Sequence, residues 1–335
     1  MFNSFGIDLG TSEVKIYNDK RKSMLTEKNM VAVRNGKSLL AVGDAAFEML
    51  EKNPPEIEVA SSVREGALFD IDRAEVLVHL LLEKSERYPG FSPALYFSAP
   101  SDRSGLEENA YYTIACAGYL KSPRVFLVDR PICDAIALGI PLSRTAGSMI
   151  VNIGAQNTDI SVIAQEMVIL TKSIPVGGQQ INEAICDAVR REQNLLIGTR
   201  TARRLKAVLA DFSGNVKEAR KVSGLDLLSG LPKENVIPAE LVNEAVNDRL
   251  SLLTREIRDF LERTPPQIRR NVEKEGMFLT GGTTRIPDIE RFVGLRCGIR
   301  VNLSSYYDMS TIRGLEELIT HKALHKWAKP VKDKA

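Results

Sequence analysis

Phe5-Gly6-Ile7-Asp8-Leu9-Gly10-Thr11-Ser12-Glu13-Val14-Lys15-Ile16-Tyr17 is the stretch on which the reading of this chain turns. It describes a short buried strand, a tight glycine turn and a second strand leaving it. Asp8 stands at the end of the first strand. Gly10, lacking a Cβ, lets backbone come close to a ligand. Thr11, Ser12 and the ammonium of Lys15 surround the turn with donors. Backbone N–H groups, hydroxyls and a cation around a turn make a cradle for phosphate, and a carboxylate beside it suits Mg²⁺. One such stretch also describes any hairpin and decides nothing alone.

A second copy changes its weight. Ser148-Met149-Ile150-Val151-Asn152-Ile153-Gly154-Ala155-Gln156-Asn157-Thr158-Asp159-Ile160-Ser161-Val162-Ile163 repeats the order of apolar strand, Asp or Asn, apolar residue, Gly and small polar turn. Aligning Gly10 with Gly154 places Asp8 on Asn152. Two such hairpins suggest duplicated domains that hold a phosphate chain between them. Met277-Phe278-Leu279-Thr280-Gly281-Gly282-Thr283-Thr284-Arg285-Ile286-Pro287 adds a strand that opens onto Gly-Gly and then a helix, with Pro287 expected in its first turn. Backbone there can approach a flat base, and Arg285 can stack on it.

These residues resemble the sugar-kinase, heat-shock and actin superfamily, and five further stretches look like bacterial actin, the MreB group. They are Asp129-Arg130-Pro131 with the helix after it, Ser173-Ile174-Pro175-Val176 before Gly177-Gly178, and Asn194-Leu195-Leu196-Ile197-Gly198. Gly230-Leu231-Pro232-Lys233 and Thr264-Pro265-Pro266 complete the set. The resemblance runs from about Gly6 to about Leu318 in the family's order. It implies an actin-like α/β fold, two α/β domains with RNase H-like sheets flanking a nucleotide cleft. The first large domain is expected at 1–140 with a small subdomain at about 30–70, and the second at 141–310 with a small subdomain at about 180–240. A C-terminal helix, 311–335, is expected to return to the first domain.

The resemblance also implies the ligand, ATP or ADP with Mg²⁺. By match, Asp8 is the metal-side carboxylate, Gly10, Thr11 and Ser12 supply turn contacts, and Lys15 is a phosphate-binding lysine. Gly154, Ala155, Gln156, Asn157 and Thr158 grip the other phosphates. Gly178, Lys206, Gly281, Gly282, Thr283 and Arg285 complete the nucleotide set. Three departures stand out. Asn152 replaces an acidic residue that helps place metal and water, and Ala155 and Gln156 replace glycines. Arg130 replaces the glutamate that orients the attacking water in bacterial actins. A guanidinium cannot accept a proton; it can clamp a terminal phosphate, or pair with Asp134 one turn along its helix. Third, the ribose-binding acidic segment reads Thr199-Arg200-Thr201-Ala202-Arg203-Arg204-Leu205-Lys206 here.

A length of 335 residues suggests two domains or more, and 44% apolar with 26% charged residues is ordinary for a globular protein. The net charge of +2 selects no acidic partner, and none of nucleic-acid type is expected. Cys116, Cys133, Cys186 and Cys297 lack metal spacing and read as thiols in a reducing cytosol. His79, His321 and His325 form no ligand cluster. The N-terminus enters a strand at once, so no signal peptide is expected, and no apolar run reaches transmembrane length.

Taken in order, the helices expected include Ala45–Lys52, Arg73–Arg87, Ser104–Leu120 capped by Ser101 or Asp102, Asn182–Glu192, Thr201–Leu209 and Pro238–Arg263. Met309–Trp327 is expected to close the chain as one helix, followed by a fraying basic tail. Tyr88–Pro93 exposes Phe91, which either dips into a membrane, as the resemblance implies, or packs on its own domain. Trp327 with Lys322, Lys326, Lys329 and Lys332 either lies on an anionic surface or is simply solvated. The expected function is an MreB-like cytoskeletal protein: cytoplasmic, nucleotide-binding and filament-forming, with weak or absent hydrolysis. Its expected partners are itself, other bacterial actin filaments and a membrane surface. The alternatives are an active ATPase driving filament turnover or a chaperone-like adaptor. The adaptor would find no room after Ala335 for a substrate domain, and a sugar kinase lacks a candidate base.

Overall fold

A computed structural model describes residues 3–87, 92–116, 123–215 and 218–331. The chain divides into two compact units, Met1–Ser143 with Met309–Ala335, and Arg144–Asp308.

The first unit is organised on β1 (Ser4–Leu9), β2 (Glu13–Asn18) and β3 (Ser23–Lys28), an antiparallel run. A small sheet follows, formed by β4 (Val31–Arg34), β5 (Ser38–Val42) and β6 (Ile57–Ala60), with α1 (Gly43–Met49) packed on it. The hairpin β7 (Val63–Arg64) and β8 (Ala67–Leu68) leads to α2 (Ile71–Ser85), β9 (Ala94–Ala99), α3 (Gly105–Cys116), β10 (Arg124–Asp129) and α4 (Arg130–Ala137). β9 lies parallel to both β1 and β10. Phe5, Ile7 and Leu9 of β1 are buried together with Phe97 of β9 and Leu127 of β10, as strands covered on both faces require. Side chains mark the helix starts. The Asp70 carboxylate accepts from Arg73 N at 3.0 Å. Ser104, not Ser101 or Asp102, caps α3: its hydroxyl accepts from Glu107 N at 3.3 Å, and Glu107 accepts from Ser104 N at 2.6 Å.

The second unit repeats this plan. β11 (Ser148–Ile153), β12 (Thr158–Ala164) and β13 (Met167–Ile174) form an antiparallel run. After them come α5 (Gly178–Gln193), β14 (Leu195–Leu196), α6 (Thr199–Leu209), β15 (Arg220–Asp226) and β16 (Pro232–Ile237). β14, β15 and β16 make a small three-stranded sheet. The chain continues through α7 (Ala239–Arg263), α8 (Pro266–Glu275), β17 (Met277–Thr280), α9 (Ile289–Cys297) and β18 (Val301–Leu303). β17 lies parallel to β11, and β18 parallel to β17. Val242, Val246, Leu250, Leu253, Ile257 and Phe260 of α7 are all buried, the stripe their spacing demands.

Several boundaries differ from the expectation. α5 starts at Gly178, four residues early, because Gly178 and Gln179 find carbonyl partners in the preceding hairpin. Pro287 lies ahead of α9, behind a short 3₁₀ turn at Gly282–Arg285. The closing segment is not one helix. It is a helix at Ser310–Thr320, a 3₁₀ segment at Lys322–Trp327, and a strand at Lys329–Val331 paired antiparallel to β10. The basic tail is therefore a sheet edge up to Val331. Phe91 lies outside the described residues, as does Lys332. No described helix is long and apolar enough to cross a membrane.

Candidate functional site

In the first unit, Gly10 N donates to Glu13 O at 3.0 Å and closes a four-residue turn. A Cβ on Gly10 would stand 2.8 Å from that same oxygen, so the turn needs glycine. Asn29, fully buried, donates its Nδ2 to Gly10 O at 2.8 Å and its backbone N–H to Ser12 O at 3.0 Å. Ser61 Oγ donates to Thr11 O at 3.2 Å. With three successive carbonyls held by the protein, the turn presents its N–H edge and the hydroxyls of Thr11 and Ser12, the arrangement of an anion nest.

Asp8 is level with Lys15 on β2 and with Ser98 on β9. Side chains at level positions share one face of the sheet. Ser98 Oγ donates to Asp8 Oδ1 at 2.6 Å. Lys15 is 5% exposed, and its Nζ lies 3.5 Å from Glu13 Oε2, an oxygen pair that also receives Lys28 Nζ. Burial opposes ionisation of Glu13, but Lys15 and Lys28 outweigh it and hold the carboxyl below its usual range.

Arg130 opens α4 two residues beyond Val128, which is level with Ser98. Its neighbour Asp129 is occupied: Oδ1 accepts from Arg103 Nη1 at 2.5 Å, and Oδ2 lies 3.4 Å from Lys329 Nζ. Asp134 is buried and accepts from Thr311 Oγ1 at 2.7 Å. The buried Tyr111 hydroxyl is pushed up to about 12 by burial, while Arg130 and Arg103 pull it down and Asp8 pulls it up.

The second unit carries the same turn. Gly154 N donates to Asn157 O at 2.9 Å, and a Cβ on Gly154 would also meet that oxygen at 2.9 Å. Its carbonyls are engaged too, but by different partners. Gly154 O accepts from Gly178 N at 3.0 Å and from Thr283 Oγ1 at 3.0 Å, and Ala155 O accepts from Gln179 N at 2.6 Å. Lys206 Nζ donates to Gly178 O at 2.7 Å. Burial, then Arg203, brings the Lys206 ammonium down to about 8. Gly281 adopts φ +97°, and a Cβ there would lie 2.4 Å from Ile153 O and 2.7 Å from Asn152 Oδ1. Asn152, Gly154, Gly178, Lys206, Gly281 and Thr283 therefore converge within this unit.

Some expected contacts serve the fold instead. Thr158 is fully buried and donates Oγ1 to Val176 O at 2.6 Å. Asn157 Nδ2 donates to Asp159 Oδ1 at 2.7 Å and to Ser173 Oγ at 2.9 Å. Gln156 pairs with Gln179 at 2.8 Å. Arg285 already has a carboxylate and a ring: Nε and Nη2 donate to Asp308 Oδ1 at 2.8 and 2.5 Å, and the guanidinium sits 4.8 Å from the Tyr307 ring centre. Gly282 lies beside Asp308 as well. Sequence reasoning missed Asn29, Ser98, Gln179 and Asp308. Only Ser98, at the end of a recognisable strand, carried a signal.

Each unit places a glycine turn between the first two strands of a sheet in which five strands follow the same order, the first unit adding Lys329–Val331 at one edge, and that duplication defines the actin-like class of proteins. The MreB/Mbl protein family model matches residues 2–326, so the chain belongs to the MreB/Mbl family. It is 30% identical over 307 residues to the cell shape-determining protein MreB of Escherichia coli (strain K12), covering 89% of this chain and 88% of the relative. To the cell shape-determining protein Mbl of Bacillus subtilis (strain 168) it is 29% identical over 291 residues, covering 86% and 87%. Its fold matches the crystal structure of MreB5 of Spiroplasma citri bound to ADP at a TM-score of 0.88, with 24% identity and coverage of 97% and 98%. A MamK double helical filament matches at 0.78, with 20% identity and coverage of 95% and 99%. The fold is actin-like, and the chain is an MreB-like cytoskeletal protein.

Proposed function

We propose that this chain is a cell-shape protein that binds adenine nucleotide, assembles with further copies of itself, and hydrolyses its nucleotide slowly or not at all. The observation that carries the reading is the matched pair of turns, Gly10–Glu13 and Gly154–Asn157, kept in both units while the hydrolytic acids are absent. In the first unit phosphate is assigned to the amides of the Gly10–Glu13 turn, to the Thr11 and Ser12 hydroxyls and to Lys15, and in the second unit, taken by itself, to the amides of the Gly154–Asn157 turn. The nucleoside is assigned to the surroundings of Gly178, Lys206, Gly281 and Gly282, with Thr283 and Arg285 shaping the pocket. MreB5 of Spiroplasma citri has been solved with ADP and with AMPPNP, which supports a nucleotide of this kind.

Slow turnover follows from the side chains. Arg130 has no lone pair with which to take a proton from water, and Asn152 carries no charge. Asp129 is tied to Arg103 and is not a substitute. Loss of a water-orienting or charge-stabilising group removes roughly two or more orders of magnitude in rate. Asp8, near the end of β1, is the carboxylate that would hold Mg²⁺.

Self-assembly is proposed as a head-to-tail contact, which repeats without closing; the MamK double helical filament is an assembly of a protein of this fold. Other bacterial actin filaments are proposed as further partners, the cytoplasm as the location, and the membrane as a surface the chain touches. Binding of a fluorescent ATP analogue, single-turnover phosphate release and pelleting with and without anionic liposomes test the reading. Saturable binding, sedimenting polymer and phosphate release far below that of an MreB with both acids are expected. Release at the rate of such an MreB refutes slow turnover, and failure to pellet at any concentration refutes assembly.

A further inference from the structure

In the first unit the chain leaves the large sheet at Asn29, between β3 and β4, and comes back from the small sheet at Ser61 and Ser62, between β6 and β7. Both crossings grip the turn that follows β1. Asn29 takes two of its carbonyls, Gly10 O through Nδ2 and Ser12 O through its backbone N–H, and Ser61 Oγ takes Thr11 O between them. A trans peptide is planar, with its C=O and N–H on opposite sides. A held carbonyl therefore aims the next residue's amide the other way. Asn29 aims the amides of Thr11 and Glu13, and Ser61 aims that of Ser12.

The two crossings are also joined to each other. Ser62 donates twice to Asn29 Oδ1, from its backbone N at 3.2 Å and from Oγ at 2.8 Å. These partners fix the orientation of the side-chain amide. A backbone N–H only donates and Gly10 O only accepts, so Oδ1 lies toward Ser62 and Nδ2 toward the turn. Asn29 and Ser62 are both fully buried, and a partner lost there leaves a group unpaired. Ser62 O accepts in turn from Phe69 N at 3.0 Å and Asp70 N at 3.1 Å, and Asp70 caps α2. Hydrogen bonds thus run from the start of α2 through Ser62 and Asn29 to the Gly10 carbonyl. The turn of the second unit is held otherwise, by the start of α5 and by Thr283. The tie through Asn29 is a feature of the first unit and not of the shared plan.

We infer that Asn29 is the positioning residue of the phosphate turn and that Ser62 acts through it, so that the crossings to the small sheet set the affinity for the polyphosphate. The inference rests on the nucleotide-binding reading above and names the residues that tune it. Asn29 and Ser62 act from behind the turn. They keep its amides converged, so that an arriving phosphate does not have to order a glycine turn itself. Linkage makes the effect reciprocal: phosphate on the amides stiffens the crossings as much as the crossings favour phosphate.

The test uses the full chain, a fluorescent ATP analogue in Mg²⁺ buffer, and inorganic tripolyphosphate as competitor. Asn29→Ala should bind the analogue ~10-fold or more weakly than wild type, because the turn amides lose their aim. Ser62→Ala should lose ~2–5-fold, since Ser62 N still donates to Asn29. The double variant should match Asn29→Ala within ~2-fold, because Ser62 has lost its route to the turn. Tripolyphosphate should show the same ratios. In wild type, hydrogen exchange at the Asn29 and Ser62 amides should slow at least ~5-fold when the analogue is bound. Absence of wild-type binding overturns the nucleotide reading itself. Wild-type affinity in Asn29→Ala, with a melting curve that shows it folded, overturns the inference and leaves that reading intact. A loss seen with the analogue and not with tripolyphosphate places the effect on the nucleoside and overturns it as well. Losses that add in the double variant overturn the route through Asn29. If Asn29→Ala does not fold, the remaining measurements decide: unchanged exchange at Ser62 on binding, or wild-type affinity in Ser62→Ala, overturns the coupling.

Discussion

Gly314→Ala should destabilise the first unit although it places a better helix former inside a helix. Gly314 lies in Ser310–Thr320, which packs against α4. A Cβ at this position would fall 1.8 Å from the Cys133 carbonyl oxygen and 2.4 Å from its carbon. Both are rigid backbone, so the helices must part by more than an ångström. Propensity alone would stabilise the variant by about 0.5–1 kcal/mol. Overpacking opposes this with about 1–3 kcal/mol. Parting the helices also stretches the buried hydrogen bond from Thr311 to Asp134, a carboxylate 1% exposed, at a further cost of about 1–3 kcal/mol. The net loss is about 1–5 kcal/mol, a fall in melting temperature of about 2–20 °C for a unit of this size. Calorimetry or thermal circular dichroism reads it. Gly139→Ala is the control: Gly139 has φ +69° with open space around it, so only backbone strain of about 1–2 kcal/mol applies. A Gly314→Ala protein melting within ~2 °C of wild type would refute the close helix crossing, since propensity cannot offset a clash of that size.

Two further outcomes are expected. Arg130→Glu combined with Asn152→Asp should raise single-turnover phosphate release by roughly 10-fold or more in Mg²⁺, because it restores both of the acids whose loss the slow turnover is assigned to; a double variant as slow as wild type would place the block elsewhere. Lys206 is charged in both the folded and unfolded chain below about pH 8, where burial of its ammonium costs stability in full. Between about 8 and the unperturbed 10.5 the unfolded chain holds the proton and the folded one releases it. Stability therefore rises with pH across that window, by on the order of 3 kcal/mol at most. The melting temperature of wild type should gain on that of Lys206→Met over this range, and a gap that does not change with pH would show the amine to be solvated.

What was legible in the chain was whatever repeats or alternates. The two glycine turns, the parallel strand ending in Thr280-Gly281-Gly282 and the apolar stripe of α7 follow from local pattern, and family resemblance did the rest. α8 was passed over because its only buried apolar residue is Val272, so Pro266–Glu275 shows no stripe to read. β3 escaped for a related reason: Ser23–Lys28 is mostly polar, and only Glu27 of it is fully buried, in ion contact with Lys84. The C-terminal strand could not be foreseen, because Lys329-Pro330-Val331 owes its conformation to the edge of β10, some two hundred residues earlier. At the site, residue types were legible and commitments were not. Nothing local says that Thr158 is spent on Val176 O or that Arg285 belongs to Asp308; these partnerships come from elements distant in sequence.

The division of the chain has a consequence for its birth on the ribosome. Arg144–Asp308 is one uninterrupted segment, whereas the other unit waits for Ser310–Thr320 to cover α4 and for Lys329–Val331 to seal the edge of β10. As synthesis proceeds from the N-terminus, the inserted unit is complete first and the enclosing one last. Until then the underside of α4, with the Cys133 backbone and the Asp134 carboxylate, stays uncovered. The nascent protein passes through an interval in which one lobe is mature and the other still open to chaperones.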